Sequence, residues 1–261
     1  MQETRYYRAI WISDVHLGTR ACKAESLLEF LRSHVAETLY LVGDIIDGSN
    51  LALSWQWSPA QQAVVDEIAQ WRKRGARVVF LPGNHDEPHI GLVEELFGRI
   101  PRLSSLIHRT ASGAKMLVIH GHQFDGSLNP NRLFAAIGTH GYPRVRRIYE
   151  WYTRECDDGA RSLSDCIRSH ARKALEFLTE FRDRAVLAAA REHKVDGVIC
   201  GHIHRLDQRL IGPVWYVNDG DWVQSRTAAV EEQDGALRSL QWSAPRSAIS
   251  ALAPRLQEAM S

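Results

Sequence analysis

Short apolar runs punctuate the chain at Ala9–Ser13, Leu39–Val42, Arg77–Leu81, Met116–Ile119 and Val195–Cys200, each bounded by turn residues. They are rich in Val, Ile and Leu, the pattern of strands buried on both faces of a sheet. Helical spacing lies between them. Ala24–His34 places Leu27, Leu28 and Leu31 on one face. Pro59–Arg74 carries Val64, Val65, Ile68 and Trp71, opened by Ser58 and Pro59 and stopped by Gly75. Strands alternating with helices predict an α/β layered fold.

The alternation breaks between Phe124 and Lys194, where no strand-like run occurs. From Ser164 onward, Ile167, Ala171, Ala174, Leu178, Phe181 and Ala185 follow helical spacing, and an aromatic-basic segment, Tyr142–Arg154, precedes them. We expect residues 124–194 to form a helical cap inserted into a single domain of residues 1–261. Pro213–Asn218 and Thr227–Val230 read as further strands, and Ala236–Trp242 can pair with the latter across Gln233-Asp234-Gly235. Residues 243–261 form a weakly patterned tail, expected to be peripheral.

Composition narrows the classes. With 261 residues, 44% of them apolar and 24% charged, the chain is long enough for a sizeable core. The 32 Lys and Arg nearly balance 31 Asp and Glu, which does not fit a globally basic nucleic-acid binder. No apolar run approaches the roughly 20 residues of a membrane span. The polar start, Met1–Arg8, has no signal-peptide core, so the expected location is cytoplasmic. Cys22, Cys156, Cys166 and Cys200 form no C-x-x-C pair and read as free thiols of a reducing compartment.

The chemistry clusters at strand ends. Asp14 and His16 follow the first run, Asp44 the second, Asn84 and His85 the third; His120 closes the fourth, and His202 and His204 follow the fifth. The carboxyl ends of strands are where α/β sheets place their sites. Gly43, Gly83, Gly121 and Gly201 allow the tight turns needed to aim these side chains into one crevice. Asp14, His16, Asp44, Asn84, His120, His202 and His204 form an oxygen-plus-imidazole ligand set suited to Mn²⁺, Fe²⁺ or Zn²⁺ rather than Ca²⁺. Seven ligands exceed one ion with an open position and suit two ions sharing a carboxylate. Each piece alone has a plainer reading. Asp-x-His is often a surface or capping pair, Gly-Asp a turn, and His122 or His140 a surface or core residue. The ordered array of five is what carries the reading.

The phrases I-S-D-V-H-L-G, V-G-D-I-I-D, P-G-N-H-D, H-G-H and G-H-I-H, between Ser13 and about Val223, resemble the calcineurin-like binuclear metallophosphoesterases. The resemblance implies a two-sheet α/β sandwich with a dimetal site at one rim. It implies that Asp14, His16, Asp44 and His204 hold one ion, and that Asp44, Asn84, His120 and His202 hold the other, with Asp44 bridging. Two divalent ions, Mn²⁺ foremost, are the implied cofactors. Within the superfamily, chain length, the inserted segment and Tyr216-Val217-Asn218-Asp219-Gly220-Asp221-Trp222-Val223 are similar to the bacterial UDP-2,3-diacylglucosamine pyrophosphatases of lipid A synthesis. That group's best-known members carry Arg at the position of His85 and Asp at that of His122. These departures bear on the substrate and not on the metal chemistry.

The expected reaction is hydrolysis of a phosphoanhydride or phosphodiester between two cations roughly 3.5–4 Å apart. His85, beside the ligand Asn84, is assigned as electrophile or general acid. Asp86 is a candidate orienter of the ligands or a simple turn carboxylate. Between Arg132 and Lys173 stand nine Lys or Arg and five Asp or Glu, with Tyr142, Ile148, Tyr149, Trp151 and Tyr152 among them. This composition suits an anionic amphipathic substrate and peripheral contact with the inner membrane, or else a helical hairpin with solvated arginines. The expected substrate is the nucleotide-lipid, cleaved to UMP and the sugar 1-phosphate. A soluble nucleotide or another phosphodiester is the alternative, and a non-catalytic scaffold is disfavoured because every ligand position is filled. Neither a nucleic-acid nor a protein partner is inferred.

Overall fold

The computed structural model describes residues 4–48, 56–124 and 179–243. Its first compact unit comprises residues 1–121 and 193–261, and its second comprises residues 122–192. The Tyr142–Arg154 segment and most of the expected cap lie outside the described residues; residues 179–192 of the second unit are helical.

The first unit is built from two five-stranded sheets. In the first, β10 (Leu237–Gln241), β9 (Thr227–Glu231), β1 (Arg5–Ile12), β2 (His34–Val42) and β3 (Arg77–Leu81) lie in that order. In the second, the order is β4 (Leu106–Arg109), β5 (Lys115–Val118), β6 (Gly197–Cys200), β8 (Val214–Asn218) and β7 (Asp207–Ile211). The strands β1, β2 and β3 are parallel, as are β5, β6 and β8. Parallel strands bring their carboxyl ends to one rim. The expected α/β two-sheet sandwich is the observed fold.

The continuous apolar runs have a direct explanation. Ile10, Ile12, Leu39, Leu41, Val78 and Phe80 face one core, shared with α1 (Ala24–Ser33), α2 (Pro59–Lys73) and α3 (Ile90–Phe97). Ala9, Trp11, Tyr40, Val42, Val79 and Leu81 face the other, against Met116, Val118, Ile199 and Val217 of the second sheet. Neighbours in each strand therefore enter different cores, and both faces of the first sheet demand apolar side chains. Helix α2 begins where expected because Ser58 accepts a hydrogen bond from the amide of Gln61 and Pro59 opens the first turn.

A polar tie crosses between the sheets near the opposite rim. The fully buried Glu231 of β9 receives Arg8 at 3.2 Å, Nε2 of His108 at 2.7 Å and the amide of Ala111 at 2.7 Å. Nδ1 of His108 then meets the Tyr40 hydroxyl at 3.0 Å. A buried carboxylate with this many partners is compensated rather than stranded.

Candidate metal centre

Asp14, His16 and His204 bring ligand atoms within 4.8 Å of one another, as do Asp44, His120 and His202. Each group draws on both sheets. Asp14 and His16 leave β1 while His204 leaves β6; Asp44 leaves β2 while His120 and His202 follow β5 and β6. The structure thus gathers six of the seven expected ligands into two clusters. The seventh, Asn84, is an exposed residue of the turn after β3. It stands between Gly83 and His85, whose amide donates to Oδ1 of Asp44 at 2.9 Å.

The backbone is bent to make this possible. Asp14, His16, Asp44, His202 and His204 all adopt positive φ, from 50° to 74°. Such conformations cost side-chain-bearing residues about 1–3 kcal/mol each, so the surroundings must enforce them. They do so with backbone bonds between the first two strand ends: Asp14 N–H to Gly43 O at 3.0 Å, Val15 N–H to Asp44 O at 2.9 Å and His16 N–H to Asp44 O at 3.0 Å.

Donor chemistry fits divalent cations. Nε2 of His16 is buried without a hydrogen bond, which is costly unless something else compensates it. Nδ1 of His120 donates to the Val42 carbonyl at 2.7 Å, which fixes the tautomer and leaves Nε2 as a lone-pair donor 3.4 Å from Oδ2 of Asp44. Nε2 of His204 is 3.1 Å from Oδ1 of Asp14.

Charge follows the same geometry. Burial alone would raise the Asp14 carboxyl, but the bond with His204 and the nearby His120 bring it below the usual range. Asp44 is likewise lowered, because His120 and the His85 amide outweigh its burial. Burial would lower His120, yet Asp44 and Asp14 hold it up at about 9 in the ion-free cluster. A cation held by these residues would supply the same positive charge in place of that proton.

His85 stands at the edge of both groups. Its Nε2 is 4.0 Å from Oδ2 of Asp44, and its ring meets that of His16 edge-on at 5.0 Å. Asp47, to which the sequence reading gave no role, lies 3.1 Å from Nδ1 of His16 through one oxygen and 3.3 Å from Nδ1 of His85 through the other. Its signal was present in the phrase V-G-D-I-I-D, three residues beyond Asp44. Asp86 is no simple turn carboxylate. Fully buried, it accepts from the amides of Gly83 at 2.9 Å, Ile46 at 2.8 Å and Ile45 at 3.3 Å. It thereby joins the turns after β2 and β3, and burial raises it to about 7. Burial also holds the Asp219 carboxyl well above the carboxylate range.

The sequence pattern of Calcineurin-like phosphoesterases matches residues 7–206. The chain belongs to the calcineurin-like phosphoesterase family. This phosphoesterase is 25% identical over 245 residues to a UDP-2,3-diacylglucosamine hydrolase of Aeromonas salmonicida, covering 85% of the chain and 88% of the relative. It is 26% identical over 232 residues to a protein of the same name from Klebsiella pneumoniae, covering 82% and 90%. A solved structure, a hypothetical protein of Pyrococcus horikoshii, shares the fold with a TM-score of 0.50 at 10% identity, over 97% of this chain and 94% of that one.

Proposed function

We propose that the phosphoesterase hydrolyses a phosphoanhydride with two divalent ions, Mn²⁺ foremost, held by Asp14, His16, Asp44, Asn84, His120, His202 and His204, with Asp44 shared. The observation that carries this is the pair of ligand clusters, each spanning both sheets, with His85 beside them. When bound, such ions neutralise charge on the phosphoryl oxygens and make water nucleophilic at neutral pH. The chain's own residues do the rest. Asp47 hydrogen-bonds the ring of His16 and lies beside that of His85, and His85 delivers a proton or hydrogen bond to the phosphoryl or leaving oxygen. Asp86 keeps the turns bearing Asp44 and His85 in register.

The substrate we propose is UDP-2,3-diacylglucosamine, cleaved to UMP and 2,3-diacylglucosamine 1-phosphate at the cytoplasmic face of the inner membrane. Three relatives bear the name of that hydrolase at about 25% identity over most of the chain, which supports the reading. The basic and aromatic residues between Arg132 and Lys173 suit an acylated, anionic substrate, and no helix among the described residues is long and apolar enough to cross a membrane. An activity panel with Mn²⁺ tests it, comparing the nucleotide-lipid with bis-p-nitrophenyl phosphate and soluble nucleotides. Higher kcat/KM on the nucleotide-lipid, falling as its acyl chains are shortened by about 0.8 kcal/mol per CH₂ removed, is the expected result. Equal or better turnover of soluble nucleotides assigns the enzyme to the alternative substrate class.

A further inference from the structure

The Ser13 hydroxyl sits among three oxygens. It is 2.5 Å from Oδ2 of Asp14, 2.6 Å from Oδ1 of Asp219 and 3.3 Å from the carbonyl of Gly220. A hydroxyl has one proton to give. Two carboxylate oxygens both within hydrogen-bond distance require a second proton between them, and the Gly220 carbonyl has none to offer. Asp14 also receives the amide of His202 on Oδ2 at 2.8 Å, so that oxygen is the acceptor of a convergent pair. The remaining proton belongs on Asp219, which has no exposed surface and whose Oδ2 has no hydrogen-bond partner. An ionised carboxylate in that place would be nearly uncompensated.

The surroundings hold this chain of contacts rigidly. Asp219 ends β8, and its amide donates to the Cys200 carbonyl at 2.9 Å. Next to it, Nδ2 of Asn218 donates to the Gly201 carbonyl at 2.6 Å, and Oδ1 of Asn218 accepts from the amide of Gly220 at 3.1 Å. Trp222 donates its amide to the Asp14 carbonyl at 3.1 Å. No side chain fits at Gly201, where a Cβ would stand 2.0 Å from Oγ of Ser13 and 2.6 Å from Oδ2 of Asp14. The turns after β1, β6 and β8 are thus fastened at one point, beneath the ligand clusters.

We propose that Asp219 is a positioning residue that works as a neutral acid: it donates to Ser13, Ser13 donates to Oδ2 of Asp14, and Oδ1 of Asp14 is left as the oxygen that faces the ion. The relay orients a ligand without touching substrate or metal. It rests on the reading of Asp14 as a ligand, although the state of Asp219 is open to test without any metal.

Three variants and one spectrum test it. Asp219→Asn keeps a donor at the same place, so Mn²⁺ affinity measured by calorimetry should stay within about threefold of the parent. Ser13→Ala and Asp219→Leu should each weaken affinity about 10–100-fold, the usual effect of losing a group that orients a ligand. Infrared difference spectra of the metal-free protein, Asp219→Asn against parent, should show loss of one protonated-carboxyl carbonyl band. Absence of that band, or an Asp219→Asn variant as impaired as Asp219→Leu, overturns the relay. Unchanged affinity in Ser13→Ala overturns it as well. Should Asp219→Leu fail to fold, Ser13→Ala and the spectrum still decide. A parent protein that takes up no metal but shows the band counts against the proposed function and leaves Asp219 as assigned.

Discussion

Oδ1 of Asp47 stands 3.3 Å from Nδ1 of His85. Oδ2 of the same carboxylate hydrogen-bonds Nδ1 of His16 at 3.1 Å, so one side chain touches two imidazoles, setting the tautomer of His16 and lying at ion-pair distance from His85. Asp47→Ala should lower kcat about 10–100-fold, with a smaller loss of bound metal, because His16 keeps its place in the first cluster. Steady-state kinetics beside elemental analysis checks this. Full activity in the variant would remove Asp47 from the machinery.

His85→Ala should retain the metal complement and lose about 10²–10⁴-fold in rate, the range expected for a lost general acid or electrophile. A parallel fall of metal content would instead make His85 a ligand. Comparing substrates with good and poor leaving groups separates its two assigned roles. A general acid matters most for the poor ones, whereas an electrophile on the phosphoryl oxygen affects both.

Asp44→Ala should abolish turnover and strip metal from the protein. The carboxylate faces His120, lies near His85 and receives the amide of His85, so its loss also leaves a part-buried N–H with no acceptor. Retention of full metal content by this variant contradicts a shared Asp44.

Gly83→Ala should be nearly as harmful, although it deletes no ligand. The added Cβ would lie 2.1 Å from Oδ1 and 2.4 Å from the amide nitrogen of Asp44, and neither the backbone nor the pinned carboxylate can yield cheaply. Loss of metal binding with the overall fold retained by circular dichroism is the expected outcome; wild-type affinity would show that the turn relaxes.

Stability should also carry a histidine signature far from the ligands. Burial lowers the pKa of His34 despite its bond to the Phe30 carbonyl, and its ring stacks on Phe30 at 4.3 Å between centroids. The folded chain therefore holds His34 neutral where the unfolded chain takes up a proton. Its contribution is whole above the ordinary value of 6.5, and it declines as pH falls from there toward the lowered folded value. The slope for one proton is at most about 1.4 kcal/mol per pH unit. Urea unfolding at about pH 7.5 and about pH 5.5 should show a smaller acid loss in His34→Phe than in the parent. Identical losses would show that His34 titrates normally.

The candidate ligands were legible because each follows an apolar run and a turn, so sequence spacing alone put Asp14, Asp44 and His120 at strand ends. Strands β4 and β7 were not. Leu106–Arg109 and Asp207–Ile211 alternate partly buried and exposed positions, and mixed polar runs of that length look like loop. Strand β2 starts at His34, directly after α1, where the helical spacing of Leu27 and Leu31 runs on and hides the change. Residues that act through others were harder still. Asp47 meets His16 31 positions away and Ser13 meets Asp219 206 positions away, distances over which no local pattern speaks.

Neither of the two clusters of expected ligands is complete on one sheet. Asp14 meets the amide of His202 across 188 residues of sequence, and the group of Asp44, His120 and His202 likewise draws on strands of both layers. The first three strands alone bring together His16, Asp47 and His85, but neither Asp14 nor Asp44 gains its imidazole partners from the second sheet until that layer is in place. Metal uptake at those two clusters would therefore require the two layers to be docked on each other. An ion bound there would stabilise the docked pair of layers rather than either layer by itself.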